Sequence, residues 1–470
     1  MIGVLLMIGT FAFSQSITYP IVDTDLTEFT DHSGIITMPA PGEPFYGQDA
    51  TYSGNQPAYT DNVNGTITDH VTGLVWEKDM GDKISWADAM NKADTLTRGG
   101  FDDWRVPDIK ELYSLILFSG RVSGATAIQS FINADFFNQP LGNPDIGERE
   151  IDAQTWSSTH YVGLTMNGDS TVFGVNFVDG RIKGYPKYKP GSENTIPNTM
   201  YFRMVRGNTS YGSNLFFDNG NGTISDQSTG LMWQQADDGQ LRDWENALDY
   251  AENLVLGGFN DWRLPNAKEL QSIVDYSRSP QTTGSPAIDP KFYTSTIIDP
   301  DGNAGQYPYF WTSTTHQDGP NPYSSAVYIA FGEAQGEMNG KLMDVHGAGS
   351  QRSDPKSGEV SDYPQFHGPQ GDVRYVYNAV RCVRDIDQST TSKTIPGGKE
   401  FRLYPNPATD RIHIKLEDEL DHLVCLTDIM GKPAAYFQVD GSGSLEIRHL
   451  QPGLYMIRLD GARVGKFFKR

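Results

Sequence analysis

The sequence predicts an α+β protein in which two tandem copies of one domain precede a small, all-β C-terminal sandwich. Three observations carry that reading: a long internal repeat, frequent turn signals between short apolar runs, and a compositional break near residue 390. The 470 residues include 49 Gly, 27 Pro and 11% aromatics. Asn-Gly and Asp-Gly pairs recur between β-branched and aromatic runs, so strands are short, turns are tight and helix is the minority element. The length leaves room for three domains, and 37% hydrophobic residues is enough for a core in each.

The internal repeat sets the domain count. Asp61-Asn-Val-Asn-Gly-Thr-Ile-Thr-Asp69 returns as Asp218-Asn-Gly-Asn-Gly-Thr-Ile-Ser-Asp226, and Thr-Gly-Leu-Val-Trp76 as Thr-Gly-Leu-Met-Trp233. Gly-Gly-Phe-Asp-Asp-Trp-Arg-Val-Pro107 returns as Gly-Gly-Phe-Asn-Asp-Trp-Arg-Leu-Pro265, each followed by Lys-Glu-Leu. Trp156-Ser-Ser-Thr159 matches Trp311-Thr-Ser-Thr314, and Arg203-Met-Val-Arg206 matches Arg381-Cys-Val-Arg384. The period is too long for a solenoid unit, so two complete domains are expected, roughly 56–207 and 212–386, each with its own core.

Within each copy the order of elements is the same. A hairpin turns at Asn64-Gly65 or Asn221-Gly222 and leads to a strand ending in Leu-x-Trp. Ser85 caps a first helix whose apolar positions run through Ala89, Ala93 and Leu96 to a stop at Gly99-Gly100. Asp243 caps its counterpart, with Ala247, Tyr250, Ala251 and Leu254 as the stripe before Gly257-Gly258. A second helix is expected to begin just after Pro107 or Pro265, where proline suits the first turn. Strands and long loops follow, ending on a basic-apolar strand.

The outer segments differ from the repeats. Residues 1–14 read as a signal peptide: Met1 to Phe13 are almost wholly apolar and Ala12-Phe13-Ser14 suits cleavage before Gln15. An n-region Lys or Arg is lacking, so the true start is expected upstream or trimmed. This apolar run falls short of the roughly 20 residues needed to span a bilayer, and no later segment is long and apolar enough, so no transmembrane helix is expected. Residues 15–55 form an N-terminal extension. Residues 387–398 are a polar linker with Pro and Gly, after which turn-bounded short strands give a sandwich over 399–470.

Charge and cysteine content exclude some functions. A formal charge of −22 with a pI near 4.7 repels polyphosphate, so nucleic acid is not a partner. The two cysteines, Cys382 and Cys425, fall in different predicted domains and draw no disulfide framework. Cys382 sits in an apolar strand, where a buried, inert thiol is expected. No Gly-x-Ser-x-Gly, His-Glu-x-x-His or Walker pattern occurs, and the protein is not expected to be an enzyme.

On these motifs, both repeats resemble the family named for the C-terminal domain of the Legionella collagen-like adhesin. The resemblance covers about two thirds of the chain and implies C-type-lectin-like domains with a role in surface attachment through glycan or extracellular polysaccharide. The calcium-binding Glu-Pro-Asn or Gln-Pro-Asp motifs of classical C-type lectins are missing. Leu403-Tyr-Pro-Asn-Pro407, Asp428-Ile-Met-Gly431, Leu450-Gln-Pro-Gly-Leu-Tyr455 and Lys466-Phe-Phe-Lys469 are similar to the type A sorting domain of type IX secretion in Bacteroidetes. That similarity implies an Ig-like sandwich, a secretion-machinery partner through 399–470, and a secreted or cell-surface destination after outer-membrane translocation. A non-catalytic glycan-binding adhesin is the leading functional expectation, a structural envelope protein without sugar binding the alternative, and an enzyme on the lectin-like fold a third.

Two sets of site residues stand out. Phe177 and Phe331 lie 154 positions apart but Arg203 and Arg381 lie 178 apart, so the second copy carries about 24 extra residues. That insertion is polar and Gly-rich, and long loops are functional or disordered; Asp344, His346, Gln351, Arg352, Asp354 and Arg374 are its expected ligand-facing side chains. The hairpin oxygens of Asp218, Asn219, Asn221 and Asp226 form a metal candidate, with calcium the ion they would take. Their spacing is not that of an EF-hand, and a turn capping its own backbone is the favoured reading. No other cofactor is implied. Trp104 and Trp262 with Arg105 and Arg263 could face a sugar, but core tryptophans beside structural ion pairs are expected there.

Overall fold

A computed structural model describes residues 17–124, 127–386, 393–395, 399–404, 408–416, 421–427, 432–440, 442–459 and 462–469. The signal-peptide assignment (1–14) and most of the linker fall outside the described residues, as do Pro405 to Pro407 and Asp428 to Gly431 of the C-terminal motifs. The chain divides into a body of residues 18–385 and a C-terminal unit from 386 onward. Strand is the dominant element in both.

Each copy begins with a four-stranded antiparallel sheet. In the first, β1 (Tyr59–Asp61), β2 (Thr66–Asp69) and β3 (Leu74–Glu77) are joined by the closing strand β7 (Val205–Gly207), with Ile67, Trp76 and Val205 in register. The second repeats this with β8 (Phe216–Asp218), β9 (Thr223–Asp226), β10 (Leu231–Gln234) and β18 (Val383–Asp385), aligning Ile224, Trp233 and Val383. The Gly-Gly signature has a steric cause. Gly257 has φ +65, and a Cβ there would lie 2.7 Å from the Thr223 side chain; Gly99 is placed the same way against Thr66.

The helices are capped as expected but are shorter. Helix α1 (Trp86–Ala93) starts where Ser85 Oγ accepts the Asp88 N–H, and α3 (Trp244–Glu252) where Asp243 accepts from Asn246. Leu96 and Leu254 lie beyond the helix ends. Helices α2 (Ile109–Tyr113) and α4 (Ala267–Ser272) open on capping boxes, Asp108 with Glu111 and Asn266 with Glu269. Proline therefore stands one residue before the cap rather than in the first turn, because the Asp or Asn side chain satisfies the free N–H groups.

A six-stranded antiparallel sheet joins the copies. The first supplies β4 (Gln154–His160), β5 (Thr171–Asn176) and β6 (Arg181–Pro186); the second supplies β11 (Tyr309–Thr315), β12 (Ser325–Ala330) and β15 (Gln351–Pro355). The order is β11-β12-β15-β6-β5-β4, and Ile182 pairs with Gln351 at its centre. This order reads the same from either end under exchange of copies, so a pseudo-twofold axis relates them. The separate cores expected for the copies are replaced by a largely common one: Ile67, Trp76, Leu112, Phe173 and Ile182 share a cluster with Ile224, Trp233, Leu270, Val327 and Ile329. A further cluster around Trp104, Trp156 and Met200 belongs to the first copy. Pairing β6 with β15 removes what would be an exposed sheet edge on each copy.

Two lysines from the repeated Lys-Glu-Leu, Lys110 half-buried and Lys268 buried, clamp the axis reciprocally. Lys110 Nζ donates to Ser272 O at 2.8 Å, and Lys268 Nζ donates to Ser114 O at 3.0 Å. The N-terminal extension is woven into the same body: Tyr19 N–H donates to Ser228 O, Phe118 N–H to Thr24 O, and Lys356 Nζ to Thr30 Oγ1. In the C-terminal unit, two four-stranded antiparallel sheets surround a core of Leu403, Ile412, Ile414, Val424, Leu426 and Ile457.

Candidate functional site

The insertion of the second copy is folded structure. It forms a hairpin, β13 (Gln335–Met338) with β14 (Lys341–Asp344), then β15, and the short pair β16 (Phe366–His367) and β17 (Asp372–Val373). Strand β15 holds in the second copy the place that β6 holds in the first, so it is the repeat's own half of the junction and the extra residues flank it on either side.

Five of the six candidate side chains turn inward. Asp344 is buried; its carboxylate accepts from Tyr161 Oη of the first copy at 2.6 Å and from Gly347 N–H at 2.8 Å, and burial pushes its pKa up to about 7. His346 Nε2 lies 2.7 Å from both Asp372 Oδ1 and Arg352 Nη1, and the Arg352 guanidinium also pairs with Asp372 Oδ2. Burial beside Arg352 lowers His346 to about 3, leaving a neutral imidazole at ordinary pH. Asp372 is held far below the usual carboxylate range by Arg352 against the opposing effect of burial. Gln351 is fully buried opposite Ile182. Asp354 accepts weakly from Tyr375 N–H and Asn378, and burial raises it to about 8.

Arg374 alone of the six stays partly exposed, with its guanidinium 5.4 Å from the Tyr363 ring. Phe366 of the same insertion and Tyr377, which follows it, are also partly exposed. The Tyr377 hydroxyl is raised chiefly by Glu359, with Asp362 also contributing. Arg374 and Tyr363 thus form a partly exposed guanidinium and aromatic pair. Sequence reasoning selected Arg374 but missed the tyrosines, whose signal was their density in a polar stretch.

The Asp-rich hairpin spends its oxygens on its own backbone. Asp218 accepts from Gly220 N–H and Gln235, Asn221 from Thr223 Oγ1, and Asp226 from Leu215 N–H, Ser228 N–H, Asn214 and Thr229. Asn219 donates to Thr223 and Ser225. These donors do not fit a calcium shell. Trp104 and Trp262 are buried, with indole N–H groups on Arg98 O and Leu256 O; Arg105 pairs with Glu111, and Arg263 pairs bidentately with Glu269 at 2.6 and 2.7 Å. The Cys382 thiol is fully buried and raised by that burial.

An open groove of about 360 Å³ lies beside the pseudo-twofold axis, where α2 of the first copy meets residues 273–276 of the second. Asp108, Lys110, Thr159, Asp275, Tyr276 and Asp289 line it. Lys110 donates to Asn214 Oδ1, Ser272 O and Gly212 O, and burial lowers its pKa to about 8. Lys110 and Thr159 lie in repeated motifs, but only the fold brings them beside residues 275 and 276.

A β-rich body made of two fused copies, joined in sequence to a separate two-sheet unit, defines the class. Residues 65–206 and 222–346 match the Lcl C-terminal domain, together more than half of the chain, and the protein belongs to that family. Residues 402–469 match the secretion system C-terminal sorting domain. The sorting domain makes this a secreted or surface protein that engages the type IX secretion machinery. Among the described residues no helix is long and apolar enough to cross a membrane. No curated protein matches the chain. A solved structure, described as PorZ, an essential bacterial surface component of the type IX secretion system of Porphyromonas gingivalis, is 12% identical. It covers 67% of this chain, while this chain spans 47% of its length, and the TM-score of 0.14 carries no argument.

Proposed function

We propose that this protein is a non-catalytic, glycan-binding adhesin whose copies are C-type-lectin-like and whose sorting unit is an Ig-like sandwich. The observation that supports it is the partly exposed Arg374 on the second copy's insertion, with its guanidinium 5.4 Å from the ring of the partly exposed Tyr363. Aromatic faces pack on sugar C–H bonds, and guanidinium and carboxylate groups bind hydroxyls. Family membership, with its adhesin-like domain, points the same way.

The test is a glycan array probed with the full chain, with calcium and again with chelator, beside Arg374→Ala and Tyr363→Ala. Binding lost in both variants, with unchanged unfolding midpoints, supports the assignment. Silence from folded protein across a broad array would leave a structural role in the envelope.

A further inference from the structure

The pseudo-twofold axis maps the open groove onto a twin that the protein fills with its own chain. Thr159 corresponds to Thr314, Lys110 to Lys268 and Tyr276 to Phe118. In the twin, residues 23–26 and Asp49 of the N-terminal extension supply the partners. Phe118 N–H donates to Thr24 O at 2.7 Å, Thr314 Oγ1 to Asp49 Oδ2 at 2.5 Å, and Lys268 Nζ to Asp23 O at 3.0 Å.

The open groove has the same frame with its partners missing. Ile109 N–H donates to Thr159 Oγ1 at 3.0 Å, as Ala267 N–H does to Thr314 Oγ1 at 2.9 Å. Gly212 O takes the place of Asp23 O at the lysine. The Thr159 hydroxyl proton and the Tyr276 N–H, however, have no acceptor among the described residues. In the twin the equivalent N–H of Phe118 is met by the Thr24 carbonyl, so the Tyr276 N–H is placed to meet a carbonyl from an entering chain in the same way.

The walls state which chain would enter. Where the twin has Asn266, Leu117 and Asn133, the open groove has Asp108, Asp275 and Asp289. Asp275 Oδ1 accepts from Ser277, and Asp289 Oδ1 from the Lys291 N–H and, at 3.4 Å, from the Lys291 ammonium, which leaves the second oxygen of each without a donor among the described residues. The three carboxylates outnumber the two ammoniums beside them, Lys110 and Lys291, so the acidic plug of the twin, with Asp23 and Asp25 beside Thr24, would be repelled here and a basic side chain drawn in.

We propose that the open groove binds a short extended peptide segment bearing a lysine or arginine, its main-chain carbonyls accepting from Tyr276 N–H and Thr159 Oγ1. A volume of about 360 Å³ is in the range of ligand sites, roughly 300–1,000 Å³. This site is independent of the glycan surface, which rests on Arg374.

The test uses the full chain and an acetylated, amidated peptide copying residues 20–28 with Asp23→Lys and Asp25→Lys, titrated by isothermal calorimetry. Saturable binding is expected, with the unchanged acidic peptide weaker by about tenfold or more. The chain carrying Asp275→Asn and Asp289→Asn keeps the turn-capping oxygens, so its unfolding midpoint should hold while affinity for the lysine peptide falls about tenfold. Titrations of the unaltered chain at low and high salt read the same charge dependence without a mutation. Absence of saturable binding, affinity indifferent to both the paired substitution and salt, or preference for the acidic peptide would overturn the proposal. Glycan binding should be unaffected by the peptide in every case.

Discussion

Replacing Arg352 by Met distinguishes a buried structural arginine from the ligand-facing one expected from sequence. The Arg352 and Asp372 side chains are 9% and 4% exposed, and the guanidinium spans both Asp372 and His346. Met fills the space of the alkyl stem but leaves the Asp372 carboxylate buried beside a neutral imidazole. Removing one partner of such a pair costs about 3–5 kcal/mol, most of it the penalty of the stranded charge. Urea unfolding of the 18–385 body, followed by tryptophan fluorescence, reads that loss as a lower midpoint at constant slope. Asp372→Asn alone should also destabilise. The double variant, Arg352→Met with Asp372→Leu, should recover a large part of the loss, because both charges then leave the interior together. A loss below about 1 kcal/mol for Arg352→Met, with the double variant no better than the sum of the singles, would refute the buried pairing. Arg352 would then be solvated and available to a ligand.

Other consequences can be checked in the same assay. Asp354 is raised to about 8 by burial, whereas the unfolded carboxyl titrates near 4. Between those values the folded state holds the extra proton, so the stability it contributes is full below about pH 4 and is lost as pH rises toward 8. Asp354→Asn removes that titration, and its midpoint should gain on the unaltered protein by at least about 1 kcal/mol between pH 4 and 8. Lys268→Met strands the Asp23 and Ser114 carbonyls and should cost about 1–3 kcal/mol for each. Chelation of calcium should leave the thermal midpoint unchanged, since the Asp218 and Asp226 oxygens are committed to their own turn; a rise of several degrees on adding calcium would contradict that.

The parts legible in the sequence are those fixed by neighbours along the chain. Ser85 and Asp243 announce their helices because a cap is a contact across three residues. Asn64-Gly65 and Gly257 announce their turns because positive φ is a local demand. The shared core was not legible, since it depends on β6 meeting β15 across some 169 positions of sequence. A trace of that relation was present: Lys183 and Pro186 in Arg-Ile-Lys-Gly-Tyr-Pro recur at the same interval as Arg352 and Pro355 in Gln-Arg-Ser-Asp-Pro. The insertion misled for a related reason. Asp, His and Arg in a Gly-rich stretch signal solvent unless they find partners. Here Asp344 finds Tyr161 of the other copy, while Arg352 and His346 find Asp372 twenty or more residues on.

The asymmetry of the two copies decides what tandem duplication contributes. Two independent lectin-like domains would gain affinity for a multivalent surface through effective concentration. Here the axis pairs unlike partners: one groove is filled by the N-terminal extension and its twin is open, and the Arg374–Tyr363 pair lies in the second copy's insertion. Among the described residues, therefore, only one of the two related grooves is open and one Arg374–Tyr363 pair is presented, rather than two of each. In the proposed function, avidity must arise from the density of chains delivered to the cell surface by the sorting domain. The first copy would act chiefly as scaffold: it completes the six-stranded sheet, supplies Tyr161 to the insertion through Asp344, and places Lys110 and Thr159 in the open groove. Loss of ligand binding on deletion of the first copy would then report a collapsed second copy, visible as lost cooperative unfolding, rather than a missing binding site.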